Sequence, residues 1–213
     1  ARYIRTTINS ALCQDYPNIE VIVCDDGSTD DTSLVLNDYS MHGQISYYYK
    51  ENGGGGASSA RNMAISKAKG KYILPLDSDD IILEDCISSL MELNHDDETV
   101  VVSPILTYFG GYNPQLWIPE KPTEDILNRN FIPNTSLYSK WIWEKVGGYD
   151  EDMKLGYEDW EFWIRVFKSG AEFKISRKPT FLYRRTSTNN NMSFIQETNR
   201  QKNLDYINSK HRK

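Results

Sequence analysis

The sequence predicts an α/β fold built on a mainly parallel sheet flanked by helices. Two observations carry that expectation. From residue 1 to about residue 109, helix-like stretches and short β-branched runs alternate: helix, strand, helix, strand, helix, strand, helix, strand. Two of those strands then end in clusters of aspartates, at the edge where open α/β sheets place their ligands.

The helices centre near Ile8, Leu34, Ala64 and Leu90, and the strands span residues 19–24, 45–49, 72–76 and 100–107. The first strand runs into Asp25-Asp26-Gly27-Ser28-Thr29-Asp30. Gly27 permits the sharp turn, and Ser28, Thr29 or Asp30 caps the helix that carries Leu34, Val35 and Tyr39. Asp25 or Asp26 is placed to accept hydrogen bonds from a nucleobase or a ribose; a plain helix cap is the alternative. Next come Gly53 to Gly56 and then Ala60-Arg61-Asn62. Arg61, in the first turns of a helix, is positioned to meet a phosphate. The glycines alone read equally as a linker, and no P-loop pattern follows. The third strand ends in Asp77-Ser78-Asp79-Asp80. Asp77 and Asp79 alternate, so one backbone aims both at the same object. Carboxylates this close repel unless a cation or proton neutralises them, and hard oxygen ligands suit Mg²⁺ or Mn²⁺. An acidic turn capping the next helix is again the alternative. The EF-hand glycine and closing-glutamate positions counted from Asp77 fall on Ile82 and Ser88, which argues against that calcium loop.

Beyond Phe109 the rhythm breaks, with Trp117, Pro119, Pro122, Pro133 and Trp141 marking an irregular region. Glu158 and Asp159 then precede Trp160, Phe162, Trp163, Ile164, Val166 and Phe167, which read as a largely buried helix. At its N-terminus the helix dipole favours an ionised carboxylate, able to take a proton from a hydroxyl; first-turn acids that only stabilise the helix are the bland reading. Arg184 and Arg185 are candidates for a diphosphate contact or are solvated strand-end charges. Residues 186–191 form a polar loop, and a last amphipathic helix carries Leu204 and Ile207.

At 213 residues the chain has the size of one domain. A formal net charge of −6 argues against nucleic-acid binding through a basic face. No apolar run approaches the ~20 residues that cross a bilayer. Cys13, Cys24 and Cys86 are widely spaced, fit no zinc site, and suit buried thiols of a reducing, cytoplasmic compartment.

Taken in order, residues 14–30, Ala60-Arg61-Asn62, residues 70–80, Lys145-Val146-Gly147-Gly148-Tyr149-Asp150-Glu151 and residues 158–165 resemble glycosyltransferase family 2, the inverting sugar-nucleotide transferases of GT-A (Rossmann-like) fold. The resemblance covers the chain to about residue 185. It implies a nucleotide-sugar-binding half (1–108) and an irregular acceptor-side half (109–213) of one domain. It implies that Asp26, or its neighbour Asp25, contacts the uracil or ribose, and that Arg61 helps hold the nucleotide. Asp77 and Asp79 match the Asp-X-Asp element, with Asp79 on a Mn²⁺ or Mg²⁺ ion and Asp77 on the ribose or the metal. Asp159 matches the acceptor-side base, with Glu158, Arg184 and Arg185 as accessory residues. The implied partners are a nucleotide-sugar donor, UDP-sugar favoured, and a carbohydrate or lipid-linked acceptor, at the inner face of the membrane if the association is peripheral. The alternative function is a catalytically inactive nucleotide-sugar-binding or scaffolding domain. A sugar nucleotidyltransferase would want a glycine-rich, basic loop after the first strand. Family members open with an apolar strand, whereas Ala1-Arg2-Tyr3-Ile4 already reads as the helix that follows it, so the sheet is expected to lack one central strand.

Overall fold

The computed structural model describes residues 1–51, 56–111, 114–185 and 198–212. The first half alternates as expected except for the added short strand β4: α1 (Ile4–Leu12), β1 (Ile22–Asp25), α2 (Thr32–Met41), β2 (Ser46–Tyr49), α3 (Gly56–Lys67), β3 (Tyr72–Ile73), β4 (Ile81–Ile82), α4 (Cys86–Asn94) and β5 (Val100–Ser103). Then follow β6 (Leu106–Phe109), β7 (Gln115–Trp117), a 3₁₀ turn at Glu124–Leu127, β8 (Tyr138–Ser139), α5 (Lys140–Val146), α6 (Glu158–Lys168), β9 (Glu172–Ile175), β10 (Phe181–Arg184) and α7 (Arg200–His211). Gly53 to Gly55 and the polar loop 186–191 lie outside the described residues.

Among the described residues the pairs β1/β2, β5/β9 and β6/β10 are parallel, while β4/β10, β3/β8 and β6/β7 are antiparallel. The expected strand 100–107 is two strands. Pro104 separates them: it has no N–H to give a ladder, so β5 pairs with β9 and β6 turns away to pair with β10. The expected strand 72–76 is paired only at Tyr72–Ile73, where β8 lies alongside.

β1 has β2 on one edge and no strand on the other among the described residues. An apolar cleft of about 700 Å³ lies there, lined by Ile8, Ile22, Ala64, Ile73 and Leu76 and ending at Asp77. The main core is built around α6 and shares Ile65 and Ile73 with the cleft wall. Phe162, Trp163, Ile164 and Val166 are fully buried, and each such side chain contributes about 1.5–3 kcal/mol of transfer free energy. Phe162 stacks on Tyr149 at 4.4 Å between ring centroids, and Trp163 meets Tyr138 edge-on at 5.7 Å. Ile207 of α7 closes this core from outside; the sequence left open whether this helix packs back or meets a partner. A smaller core joins α1 and α2 through Ile4, Ile8, Val35, Leu36 and Tyr39.

Candidate active site

The packing of α6 fixes one wall of the site. Gly156 (φ 97°) and Tyr157 (φ 63°) both adopt left-handed backbone immediately before the helix. For a bulky aromatic residue that conformation is strained, at a cost of about 1–3 kcal/mol. It turns the chain so that α6 begins with Glu158 and Asp159. Glu158 is buried and accepts from Arg61 Nη1 at 2.7 Å, while Nη2 of the same guanidinium donates to Asp77 Oδ1 at 2.6 Å. A single arginine from α3 therefore ties the end of the third strand to the start of α6. Arg61 also lies over the Tyr149 ring, 5.5 Å from its centroid.

Asp159 accepts from Asn130 Nδ2 at 3.1 Å. Its carboxyl is pushed up to about 7, by burial first and by the neighbouring Glu158 charge second, with Arg61 opposing both. This corrects the expectation of a carboxylate held ionised by the helix dipole. A dipole contributes about 0.3–1 kcal/mol, which is less than the desolvation of a carboxyl that is partly covered at the start of a buried helix.

The donor-side carboxylates separate into distinct environments. Asp25 is buried and turned inward, accepting from Ser28 N–H at 2.8 Å and Tyr47 OH at 3.3 Å. Asp26 lines a pocket of about 430 Å³ together with Tyr3, Ser28, Ser78 and Asp79, and its Oδ1 is buried with no hydrogen-bond partner among the described residues. Asp30, not Ser28 or Thr29, serves the start of α2, accepting from Thr32 N–H at 3.0 Å. Asp77 and Asp79 do not face one object. Asp77 Oδ1 is engaged by Arg61 and, at 3.2 Å, by Asn134 Nδ2, whereas Asp79 points into the pocket with Asp26. Among the described residues Asp79 forms no ion pair, and burial together with the Asp77 charge raises its pKa. Asp80 faces the interior, accepts from Arg184 N–H at 2.7 Å, and is pushed up to about 9, chiefly by burial.

Arg184 Nε donates to the Asp79 carbonyl at 2.7 Å, and its guanidinium lies over Tyr3 and Phe109. Arg185, one residue on and therefore on the other strand face, stacks on Tyr108 away from that turn. No group of three or more His, Cys, Asp or Glu side chains gathers into a metal cluster among the described residues.

Two quoted sequence motifs meet here for a physical reason. Asn62 Oδ1 accepts from Tyr149 N–H at 2.8 Å and Trp143 Nε1 at 3.1 Å, and its Nδ2 donates to the Tyr149 carbonyl at 2.8 Å. Gly148, at φ 75°, leaves the room: a Cβ there would sit 2.9 Å from Asn62 Oδ1. Asn130 and Asn134, which reach Asp159 and Asp77, were not singled out by the sequence. They sit in an irregular stretch with no periodicity, where side-chain direction leaves no pattern to read.

Comparisons with known proteins place the chain in a family and a fold. The model of glycosyl transferase family 2 matches residues 1–161. The glycosyltransferase GlyG of Streptococcus pneumoniae serotype 4 is 38% identical over 137 residues, 60% of this chain and 46% of that protein. A chondroitin synthase of Escherichia coli is 28% identical over 186 residues, 80% of this chain and 25% of that protein. The chain thus spans less than half the length of either relative. In fold, S. aureus TarS 1–349 in complex with UDP-GlcNAc superposes with a TM-score of 0.73 at 24% identity, over 90% of this chain and 57% of that one. No helix among the described residues is long and apolar enough to cross a membrane. The chain belongs to glycosyl transferase family 2 and has the GT-A fold.

Proposed function

We propose that this chain transfers a sugar, with inversion, from a UDP-sugar to an acceptor hydroxyl, using Asp159 as general base and a divalent cation at Asp79. The observation that carries the reading is the Arg61 bridge. One guanidinium links Asp77, at the donor-side strand end, to Glu158, the neighbour of Asp159. The bridge supports reading the pocket of Asp26 and Asp79 together with Asp159 as one site. The choice of donor is supported by TarS, whose solved structures hold UDP and UDP-GlcNAc.

Asp26 presents a buried carboxylate oxygen without a partner among the described residues, the acceptor that a uracil or ribose N–H or O–H donor requires. Asp79, half-buried beside Asp77 and without an ion pair among the described residues, is a hard oxygen ligand, and one or two carboxylates plus substrate phosphates make a Mg²⁺ or Mn²⁺ donor set. Such an ion, when bound, neutralises the charge that develops on the departing diphosphate. Asp77 is held by Arg61 and Asn134 and orients that turn. On the acceptor side the hydroxyl oxygen attacks the anomeric carbon, the bond from that carbon to the diphosphate oxygen breaks, and the hydroxyl proton passes to Asp159. A carboxyl with a pKa near the working pH is well matched to that transfer, worth about 10²–10⁴ in rate.

Calorimetry of UDP binding tests the donor half of this reading. Affinity rises when Mn²⁺ or Mg²⁺ is added, and Asp79→Ala removes that gain. Equal affinity in excess chelator would overturn the assignment of the cation to Asp79.

A further inference from the structure

We propose that Asn130 is a positioning residue for Asp159: its side-chain amide holds one oxygen of the base and leaves the other facing the acceptor hydroxyl. The inference rests on the reading of Asp159 as the base, and its geometry is independent of the donor pocket.

Asn130 Nδ2 donates to Asp159 Oδ2 at 3.1 Å. At the other end of the same amide, Oδ1 accepts from the backbone N–H of Ile132 at 3.1 Å. That second bond decides which end faces the base. A backbone N–H needs an acceptor, so the carbonyl oxygen is committed to Ile132 and the NH₂ group must point at Asp159. The loop itself is anchored, because Phe131 and Ile132 are both buried in the main core. Asn130 is therefore a fixed donor at the end of an ordered loop, delivered from outside α6.

The other groups facing Asp159 are Glu158, Arg61, Asp77 and Tyr149, with the Trp160 N–H beside it on α6. Glu158 and Asp77 disfavour the ionised base. Arg61 favours it but is engaged directly with those two carboxylates. Asn130 is the donor from outside α6 that bonds Asp159 itself. A hydrogen bond to the charged form favours it and restricts the carboxylate's rotation, so Asn130 contributes both orientation and ionisation while touching no reacting atom.

Asn130→Asp is the discriminating variant. It keeps an oxygen for Ile132 N–H and replaces the donor toward Asp159 by a second carboxylate. The titration of Asp159 is followed by ¹³C-carboxyl NMR, its signal assigned by its loss in Asp159→Asn, and UDP release from UDP-GlcNAc with Mn²⁺ is followed from pH 5.5 to 9. In Asn130→Asp the Asp159 midpoint and the acid limb of turnover should both rise by about one pH unit, lowering turnover about tenfold below the limb. Turnover should return to within a few-fold of wild type at pH 9, with the KM for donor unchanged. Asn130→Ala should lower turnover in the wild-type background and change it less than twofold in the Asp159→Asn background. An unmoved midpoint, or the same loss from Asn130→Ala in both backgrounds, would show a merely structural role and overturn the inference. If Asp159→Asn releases UDP normally, the base reading itself fails; an impaired Asp159→Asn with an unmoved midpoint in Asn130→Asp overturns this inference alone.

Discussion

β1 and β5 are four-residue strands of similar make-up, Ile-Val-Cys-Asp against Val-Val-Val-Ser, and each pairs in parallel with a later strand. Their surroundings are opposite. All four residues of β5 are buried, and its far edge is closed by a bridge from Val102 to Leu137. In β1, Ile22, Val23 and Cys24 are each partly exposed and border the 700 Å³ cleft. A β-branched run sets the local conformation; what stacks on it sets how much it stabilises. The chain uses the contrast. Its well-packed half holds Asp159 at the start of a buried helix, while the open half presents Asp26 and Asp79 to a pocket. Stability resides on one side of the Arg61 bridge and room for a ligand on the other.

The largest effect should come from the packed half. Glu161, fully buried on α6, accepts from Arg165 at 2.6 Å and lies 2.8 Å from Lys210 and 3.0 Å from His211. Burial opposes its ionisation, but the hydrogen bonds from His211 and Arg165 prevail and hold its carboxyl down to about 2. A carboxylate depressed in the fold stabilises above its unfolded pKa and loses that contribution as pH falls through the folded one. Glu161→Gln should therefore cost about 3 kcal/mol in urea unfolding at pH 7, with a smaller difference at pH 3. No change at pH 7 would mean that α7 is not what closes this core.

Amide exchange sharpens the same contrast. The β1 amides should exchange at least about 100-fold faster than those of β5, since few buried apolar contacts protect them. Equal protection would show that the cleft does not loosen its wall. A smaller effect runs the other way. Asp159 has its pKa raised in the fold, so the folded state binds the extra proton and stability falls as pH rises from about 4 towards 7. Asp159→Asn should then melt a few degrees higher than wild type at pH 8, and the gap should close at pH 4. A lower melting temperature at pH 8 would mean that the ionised carboxylate is stabilising.

Much of this was legible in the residues. Alternation of apolar runs placed the first four helices and, β4 apart, the strands between them, and the aromatic run after Asp159 marked α6 as buried. Four things were not legible. Pro104 split a strand because its lost N–H acts through pairing with β9 and β10, which lie some 70 residues away in sequence. The upward shift of the Asp159 carboxyl depends on which groups surround it, and spacing along α6 says only that it is near the N-terminus. Asn130 and Asn134 approach from a loop whose course is set by Phe131 and Ile132 entering the core. Asp77 and Asp79 alternate as expected, yet the turn that follows gives one to Arg61 and the other to the pocket.

The central claim is that donor binding and chemistry divide between the two sides of the Arg61 bridge. It is tested most directly by titrating UDP-GlcNAc with Mn²⁺ into wild type and Asp159→Asn in a calorimeter and following UDP release from the same samples. The account predicts donor affinity within a few-fold of wild type and turnover reduced about 10²-fold or more. Turnover at the wild-type rate, or loss of donor affinity together with turnover, would contradict it.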